Sequence, residues 1–349
     1  MKKILFIADA ASIHSHKWIN YISRNSNFEV IWVSFNFSNY EFDSKISFIP
    51  LKKNLLINIF KVAKILFFGR PEIVHLHYVG YHSLLLLFKN KNSNLIINTW
   101  GSDLVFSNKN LVRVYWLRYL IKKSKFVISD AYHHFHFLKN YGLPESKFKY
   151  VPYGTDVGFF YPLNYPFRNR EFVVIHTRAL EDIYDLKTFL KAAKLVIEEN
   201  QNFSFKITGS GSRMNQLEKY TFKHNIHHKV FFLGQLTQED LLKEINNSDI
   251  YVSCSLRDGG IAGSTSEAMS CERLVIISNN SDNNLWINDG VNGCLFKNGD
   301  YKKLSRLIIN ATKDISKSLI IAKRGRDTIM KKNSYKKQMD KVIKIYSSI

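Results

Sequence analysis

A glycine-rich stretch between two apolar runs is the part of the sequence best suited to chemistry. Residues 253–277 read SCSLRDGGIAGSTSEAMSCERLVII, which predicts a buried strand, a polar loop, a short helix and a second strand. Gly259 and Gly263 in this loop lack a Cβ, so the backbone can approach a ligand closely. Amide N–H groups near Ser264 and Thr265, where the helix would begin, favour an anion such as a diphosphate.

Glu267 lies one turn further along the same predicted helix. Its carboxylate could accept hydrogen bonds from two vicinal hydroxyls, such as those of a ribose. The alternative for the whole stretch is an ordinary strand-to-helix turn with a capping Ser or Thr. The residues of this stretch, taken alone, leave both interpretations open.

Two series of strands alternating with helices must position these groups. Alternation of this kind predicts βαβ units and parallel sheets. The fold class is therefore α/β, with two Rossmann-like, doubly wound domains that face a central cleft. The predicted strands are Lys3–Ala8, Glu29–Ser34, Ile73–His77, Leu95–Thr99, Phe126–Ser129, Phe172–His176, 203–207, Val230–Leu233, Ile250–Cys254, Leu274–Ser278 and Gly293–Phe296.

The strand pattern pauses near Pro162 and Pro166, which marks the expected linker. We therefore expect an N-terminal domain over 1–163 and a C-terminal domain over 164–332. The spacing of Met339, Val342 and Tyr346 predicts a final amphipathic helix, within 333–349, that returns to the first domain.

Composition narrows the class of protein. The 349 residues carry a net charge of +21, and 45% of them are hydrophobic, as in a folded protein. No apolar run reaches the roughly 18–20 residues of a membrane-spanning helix. An excess of basic residues suits phosphate-bearing substrates or an anionic membrane surface, and no nucleic-acid-binding motif accompanies it. The three widely spaced cysteines, Cys254, Cys271 and Cys294, are expected to be buried free thiols in a reducing cytosol.

Several segments, taken in order, resemble the retaining glycosyltransferase family four, which has the GT-B fold. The segment Glu267-Ala268-Met269-Ser270-Cys271 before an apolar strand resembles the most characteristic motif of that family. Further similar segments are Val74–His77, Trp100–Asp103, Val151–Asp156, Ile207–Gly211, Phe232–Leu236 and Trp286–Gly293. The likeness covers about residues 1–300 of the chain.

The resemblance implies a donor site in the C-terminal domain for a nucleotide diphosphate sugar, with UDP as the expected nucleotide. Glu267 would bind the ribose, and Arg178 would bind the diphosphate and stabilise charge on the leaving group. A surface ion pair of Arg178 with Glu181 or Asp182 is the alternative. Gly209, Gly234, Gln235, Leu236, Gly259, Gly263, Ser264 and Thr265 complete the implied donor site. No metal and no other cofactor is expected.

Three positions depart from the family pattern. The first acidic residue of the motif would stand at position 259, which is Gly, so Asp258 is the candidate replacement. The lysine that usually follows the arginine is missing, and Lys187 is the nearest cation. The glycine pair after the first strand is replaced by Ala10-Ala11-Ser12. These changes predict an unusual or weakened donor site.

The acceptor is expected to bind to the N-terminal domain. Candidate contacts follow two strands at their carboxyl ends: His14, His16, Trp18, His77 and Tyr78. A histidine there could position an acceptor hydroxyl or deprotonate it. Asp103 is a candidate catalytic contact to the reacting sugar, and a helix N-cap is its alternative role.

The stretch Tyr115–Lys123 combines aromatic, apolar and basic residues on one predicted helix. Such a helix could lie among lipid headgroups, and an ordinary core-facing helix with a basic edge is the alternative. The membrane interpretation predicts a peripheral enzyme on the inner face of the cytoplasmic membrane and a polyprenyl- or lipid-linked acceptor.

The sequence thus predicts a cytoplasmic hexosyltransferase that acts in the assembly of cell-surface polysaccharide or lipopolysaccharide. Two alternatives remain open. One is a catalytically weak scaffold that binds nucleotide sugars at the membrane. The other is a UDP-sugar 2-epimerase of the same fold, which would need carboxylates and a histidine at the sugar.

Overall fold

The computed structural model describes residues 2–52, 54–87, 93–101, 103–104, 111–167 and 171–349. These residues form two compact units. Unit 1 comprises residues 1–152 together with 338–349, and unit 2 comprises 153–337. Each unit is built on its own parallel sheet with helices beside it, which confirms the predicted pair of Rossmann-like domains.

The sheet of unit 1 has the strand order β3-β2-β1-β4-β5-β6-β7 in the described residues. The central strands carry short apolar runs, such as Ile4–Ile7, in which every residue is buried. Burial on both faces is what a parallel sheet covered by helices requires. The strands are β1 Lys3–Ile7, β2 Glu29–Ser34, β3 Ser47–Pro50, β4 Ile73–His77, β5 Asn94–Thr99, β6 Ser124–Ser129 and β7 Phe148–Tyr150.

The described helices of unit 1 are α1 Ile13–Asn25, α2 Leu55–Lys64, α3 Leu111–Lys123 and α4 His133–Lys139. α2 continues into a π turn over Ile65–Gly69. Residues Tyr81–Leu86 form a short 3₁₀ helix.

The sheet of unit 2 has the order β10-β9-β8-β11-β12-β13 in the residues that the structure describes. Its strands are β8 Phe172–His176, β9 Phe203–Thr208, β10 Val230–Gly234, β11 Ile250–Ser253, β12 Leu274–Ser278 and β13 Cys294–Phe296. The helices are α5 Leu186–Glu199, α6 Met214–Lys223, α7 Gln238–Asn246, α8 Gly263–Ser270, α9 Asn283–Trp286, α10 Tyr301–Lys313 and α11 Ile315–Lys332.

The last helix, α12 Tyr335–Ser347, returns to unit 1 through its C-terminal part, as the sequence predicted. Its Tyr346 is buried in the core of unit 1, where its hydroxyl accepts a 3.1 Å hydrogen bond from Trp18 Nε1. The same hydroxyl lies 2.5 Å from His75 Nδ1. The end of the chain therefore completes the core that the first strands begin.

Each sheet has a point where the strand order reverses. In unit 2 the chain runs from β8 to β9 and β10 on one side, and β11 to β13 lie on the other. In unit 1 the reversal lies between β1 and β4. Open α/β sheets bind ligands outside the carboxyl ends of the strands at such a switch point.

Two expectations from composition can be compared with the structure. Cys254 and Cys271 are buried and Cys294 is half-buried, and all three are free thiols. None of the described helices combines the length and the apolar character needed to cross a membrane.

Candidate functional site

Arg178 lies at the switch point of unit 2, just after the carboxyl end of β8. Its Nη2 atom is 3.1 Å from Oδ1 of Asp258, which follows the neighbouring strand β11. Its guanidinium carbon lies 4.4 Å from the centre of the Tyr184 ring. Burial alone would lower the pKa of Arg178, but Asp258, Tyr251 and Tyr184 raise it above its ordinary value. The site therefore holds a permanent cation that is 16% exposed.

The alternative pairing of Arg178 with Glu181 or Asp182 is wrong. Glu181 instead accepts hydrogen bonds from the backbone N–H and the hydroxyl of Ser212, over 2.7 and 2.6 Å. Asp182 forms an ion pair with Arg213. Arg178 is thus turned inward, toward the carboxyl end of β11.

Asp258 is buried and is held by the loop that follows β12. Its backbone N–H donates to Asn280 Oδ1 over 2.8 Å, and Asn283 Nδ2 donates to its Oδ2 over 3.3 Å. The Asn280 amide in turn donates to the Ser255 carbonyl over 2.7 Å. These contacts fix the carboxylate beside Arg178.

The start of α8 lies next to the same pair. Tyr251, buried on β11, donates its hydroxyl hydrogen to Ser264 Oγ over 2.8 Å. Burial raises the pKa of Tyr251, although the positive charge of Arg178 and bonds to Ser264 and Thr265 oppose this. Tyr251 thus connects the cation to the first turn of α8.

The first amide groups of α8 are not capped by a side chain, because the N-cap residue is Ala262. Gly263 is exposed, and no described atom lies within 4 Å of where its Cβ would stand. Packing therefore does not explain a glycine at this position. Open space beside uncapped N–H groups is what an anionic ligand at a helix N-terminus requires.

Two glycines after β9 hold the loop that carries Arg178. Gly209 has φ +106°, and a Cβ there would lie 2.9 Å from the Arg178 carbonyl oxygen. A Cβ on Gly211 would lie 2.6 Å from the carbonyl carbon of Leu180. This close approach permits the 2.9 Å hydrogen bond from Leu180 N–H to the Ser210 carbonyl.

The other predicted donor residues lie along the same edge of the sheet. The Gly209 N–H donates to the Gly234 carbonyl over 2.7 Å, and the Ser210 hydroxyl donates to Gln235 Oε1 over 3.4 Å. Gln235 is exposed and Leu236 is half-buried. The loops after β8, β9 and β10 are therefore contiguous, and Gly259 lies in the loop after β11.

Glu267 is half-buried on α8, and its negative charge adds to burial in raising the pKa of Tyr153. Lys187 is exposed at the start of α5. It adds to the lowering of the pKa of Asp182, which comes mainly from the hydrogen bond with Arg213. The structure thus places Lys187 with the surface pair rather than with Arg178.

Two of the predicted acceptor residues lie in the core of unit 1. Trp18 is 1% exposed, and its indole N–H donates a hydrogen bond to the Tyr346 hydroxyl. His77 is 2% exposed, with its Nδ1 3.4 Å from Ser15 Oγ, and burial lowers its pKa to about 3. A neutral imidazole with so low a pKa is a weak base, so the structure does not favour His77 as a general base. The sequence could not show this, because the covering Tyr346 is 328 residues away from Trp18.

The other two histidines predicted to contact the acceptor, His14 and His16, lie nearer the surface. The His14 ring stacks on Trp100 at 5.6 Å, and loss of water contact, followed by the charge of Lys17, lowers its pKa. His16 Nε2 donates to the Glu41 carbonyl over 2.7 Å. Both lie on α1, which follows β1 at the switch point of unit 1.

Tyr78 lines a cavity of about 480 Å³ in unit 1. Its backbone has φ +74°, an uncommon conformation for a bulky residue and one associated with functional sites. Trp116 is fixed in the cavity wall by a 2.7 Å hydrogen bond from its Nε1 to Ser83 Oγ. The described lining is largely apolar and also includes Tyr81, Leu84, Val112 and the cation Arg113.

Asp103 is buried and forms hydrogen bonds with two loops of unit 1. Its carboxylate accepts hydrogen bonds from the N–H groups of Val79 at 3.1 Å, Trp100 at 3.2 Å and Leu104 at 3.1 Å. Burial raises its pKa, and the backbone bonds partly offset this. The carboxylate thus orders the segments after β4 and β5, a wider role than capping one helix.

The residues around Arg178 include several that sequence reasoning missed, namely Tyr184, Tyr251, Asn280 and Asn283. A tyrosine inside the otherwise apolar strand before the glycine-rich loop was the available signal for Tyr251. Within the described part of the chain, no group of three or more His, Cys, Asp and Glu side chains could hold a metal ion.

Two family models match the chain. The model for glycosyl transferases group 1 matches residues 163–328, and the model for glycosyl transferase 4-like proteins matches residues 3–131. The first contains Arg178, Asp258 and α8, and the second contains β1 through β6.

Curated relatives and solved structures agree with these matches. An uncharacterized glycosyltransferase of Methanocaldococcus jannaschii is 24% identical over 143 residues. The match covers 41% of this chain and only 36% of the length of that relative. A second uncharacterized glycosyltransferase of the same organism is 22% identical over 84% of this chain and 80% of its own length. The Anabaena protein HepE, solved in complex with UDP-glucose, aligns over 100% of both chains with a TM-score of 0.79 and 14% identity.

Proposed function

The chain belongs to the family of glycosyl transferases group 1, and on that premise we propose that it transfers a hexose from a UDP-sugar to the hydroxyl group of a glycan or lipid-linked acceptor. The observation that carries the proposal is the buried Arg178 beside the open, uncapped start of α8. A UDP-glucose complex of a protein with the same fold supports UDP as the nucleotide.

The site offers two positive groups to a diphosphate. Arg178 supplies a permanent charge, and the first N–H groups of α8 supply the positive end of the helix dipole. When the bond between the sugar and the β-phosphate breaks, negative charge builds on the departing UDP. Fixed donors aimed at that charge stabilise the transition state more than the ground state. These groups can perform the task without a metal ion.

The other residues of the site have separate proposed roles. Glu267 binds the hydroxyls of the ribose, and the loop containing Gly234, Gln235 and Leu236 contacts the base. Asp258 holds Arg178 in place and, once the donor is bound, contacts hydroxyls of the transferred sugar. The resemblance to family four implies that the acceptor attacks from the face that UDP leaves, with retention of configuration.

For the acceptor we propose the cavity beside Tyr78 in unit 1. Its apolar walls and the cation Arg113 suit an acceptor that carries both a hydrocarbon portion and a phosphate. α3 buries Leu117 and Leu120 but exposes Tyr115 and Tyr119, so it has both a core face and a face suited to lipid headgroups. We accordingly place the enzyme on the inner face of the cytoplasmic membrane, in the assembly of a cell-surface polysaccharide or lipopolysaccharide.

One observation favours a second candidate, a nucleotide-sugar-binding scaffold of weak activity. The charge of Arg178 is already compensated by Asp258, which reduces the attraction left for a diphosphate. The 2-epimerase alternative gains no such support, because the histidine near Arg178 in the described site, His176, is fully buried and burial lowers its pKa to about 3.

Incubation of the full chain with a panel of UDP-sugars tests the proposal. We expect UDP release from at least one of them, and we expect UDP at a hundredfold its Kd to raise the free energy of unfolding by ~2.7 kcal/mol. A scaffold would give the same stabilisation with no UDP release. Absence of both effects with UDP and with every UDP-sugar would contradict the proposal, and a product epimerised at C2 would favour the epimerase.

A further inference from the structure

The segment from Leu56 to Phe68 in unit 1 presents an apolar face to solvent. α2 and the π turn bury one side, which includes Ile59, Val62 and Leu66. The opposite side is between 49% and 72% exposed at five large apolar residues: Leu56, Ile57, Phe60, Phe67 and Phe68. A helix that is apolar on both sides is normally covered on both, so the exposed side points to an unassigned contact surface.

The charges around this face have one sign. Lys61 and Lys64 are exposed on α2, and Arg70 is exposed just after the π turn. The sequence from 51 to 125 contains 13 Lys and Arg residues but only two acidic residues, a net charge of +11. Of those two, Asp103 is buried, and Glu72 accepts a 2.7 Å hydrogen bond from the backbone N–H of Lys3.

The exposed face of α3 has the same character and is connected to α2. α2 contacts the 3₁₀ helix Tyr81–Leu86, and Ser83 of that helix accepts the hydrogen bond from Trp116 of α3. Leu111, Val112 and Tyr115 of α3 are each more than 65% exposed. Residues of α3 and of the 3₁₀ helix also line the cavity proposed for the acceptor.

We propose that the face of α2 and the π turn inserts into the headgroup region of an anionic phospholipid bilayer. Exposed leucine and phenylalanine side chains would enter the acyl boundary, while the lysines extend toward lipid phosphates. The anionic headgroups of such a bilayer form a continuous negative surface, which can neutralise the positive charge that extends over residues 51–125. A second copy of this chain is a poorer partner, because the same positive charge on both copies would repel.

This inference deepens the membrane location given under Proposed function by naming the segment that makes the contact. Its test requires no sugar transfer, so the two can fail independently. The test mixes the full chain with vesicles of phosphatidylcholine, with or without phosphatidylglycerol, and measures the fraction that floats with the lipid.

The decisive variant is Phe60→Asp combined with Phe67→Asp, and the matched control is Phe222→Asp. Phe60 and Phe222 are 68% and 66% exposed, so neither substitution disturbs a core. We expect binding to the anionic vesicles, at least a tenfold weaker binding of the double variant, and unchanged binding of the control. Lys64→Gln should weaken binding by about fivefold. Thermal unfolding of each variant verifies that it is folded.

A second readout locates the segment in the bilayer. In a Phe67→Trp variant, brominated lipids should quench the added fluorescence, whereas the added fluorescence of Phe222→Trp should be unaffected. Equal flotation of the double variant and the control would overturn the proposal, as would failure of the unaltered chain to bind anionic vesicles. A lipid-free shift of the double variant from dimer to monomer would instead identify the face as a contact between copies.

Discussion

Both sheets of this chain have a switch point, and the side chains found there differ in charge and in burial. At the β8–β11 switch point of unit 2, Arg178 and Asp258 form an ion pair beside the open start of a helix. At the β1–β4 switch point of unit 1, His77 is buried and neutral among apolar and aromatic side chains. Topology therefore determines where a ligand can bind, and the side chains determine which ligand it is.

The difference matches the two halves of a transfer reaction. A nucleoside diphosphate is strongly anionic and needs fixed positive groups, as unit 2 provides. An acceptor hydroxyl is neutral and needs positioning and a surface for the rest of its molecule. The cavity beside Tyr78, with its apolar walls, is the surface that we propose for the acceptor in unit 1.

The largest expected effect comes from removing the cation of unit 2. Arg178→Gln keeps a hydrogen-bonding side chain but removes the charge that we propose stabilises the departing diphosphate. We expect turnover of the preferred UDP-sugar to fall by roughly 10²–10³-fold, the usual cost of losing one transition-state donor. Steady-state assays of UDP release measure it.

Arg213→Gln is the matched control for that prediction. Arg213 lies in the same unit and also pairs with an aspartate, but its side chain is 45% exposed. It should lose little activity. Equal losses in the two variants would remove the functional distinction between the buried pair and the surface pair.

A pair of glycine substitutions gives the next effect. It distinguishes a glycine that the packing of the fold requires from one that a bound ligand would require. Gly211→Ala places a Cβ against the Leu180 backbone and should lower the free energy of unfolding by roughly 3 kcal/mol. Gly263→Ala meets no described atom within 4 Å, so it should leave stability unchanged and weaken UDP binding. Urea unfolding and calorimetric titration with UDP measure the two effects. Undiminished UDP affinity in Gly263→Ala would show that the nucleotide does not approach the start of α8.

The smallest effect tests the neutral histidine of unit 1. Burial lowers the pKa of His77 from 6.5 to about 3, so between these values the unfolded state binds the extra proton. The free energy of unfolding should therefore fall as the pH drops through this window, by about 1.4 kcal/mol per pH unit for this one group.

Urea unfolding at about pH 7 and about pH 5 measures the pH effect, for the unaltered chain and for His77→Asn. The variant should lose roughly 2 kcal/mol less stability on acidification. His136→Asn, at an exposed position on α4, is the control for replacing a histidine by asparagine. If His77→Asn leaves the pH dependence unchanged, His77 is not a buried neutral group, and the argument against it as a general base fails.

The sequence predicted most of the strands because buried parallel strands are short apolar runs, as in Ile4–Ile7 and Leu274–Ile277. It missed the short strands β3 and β7. It located the glycine-rich loop and the final helix, because local spacing was sufficient for them, whereas the role of Arg178 stays a prediction. The helix that begins at Leu55, however, continues as a π turn from Ile65 onward, which the sequence did not indicate. Residue periodicity does not distinguish one helical hydrogen-bond pattern from the other.

What the sequence could not show depends on contacts between distant residues. Trp18 and His77 were expected to contact an acceptor, yet they lie in a core that Tyr346 completes from the far end of the chain. The sequence offered Glu181 or Asp182 as the alternative partner of Arg178, yet the partner is Asp258 in the loop that follows the adjacent strand. Neighbouring strands in a doubly wound sheet are not neighbours in sequence, so such pairs become visible only in three dimensions.

We propose that the switch point of unit 2 binds the diphosphate of a UDP-sugar. A crystal structure of the chain with UDP is the decisive measurement. We expect a β-phosphate within hydrogen-bond distance of the Arg178 guanidinium and of the N–H groups of Gly263 to Thr265, with the ribose hydroxyls at Glu267. Nucleotide bound elsewhere in the chain, or bound with Arg178 still paired to Asp258 and remote from the phosphates, would contradict it.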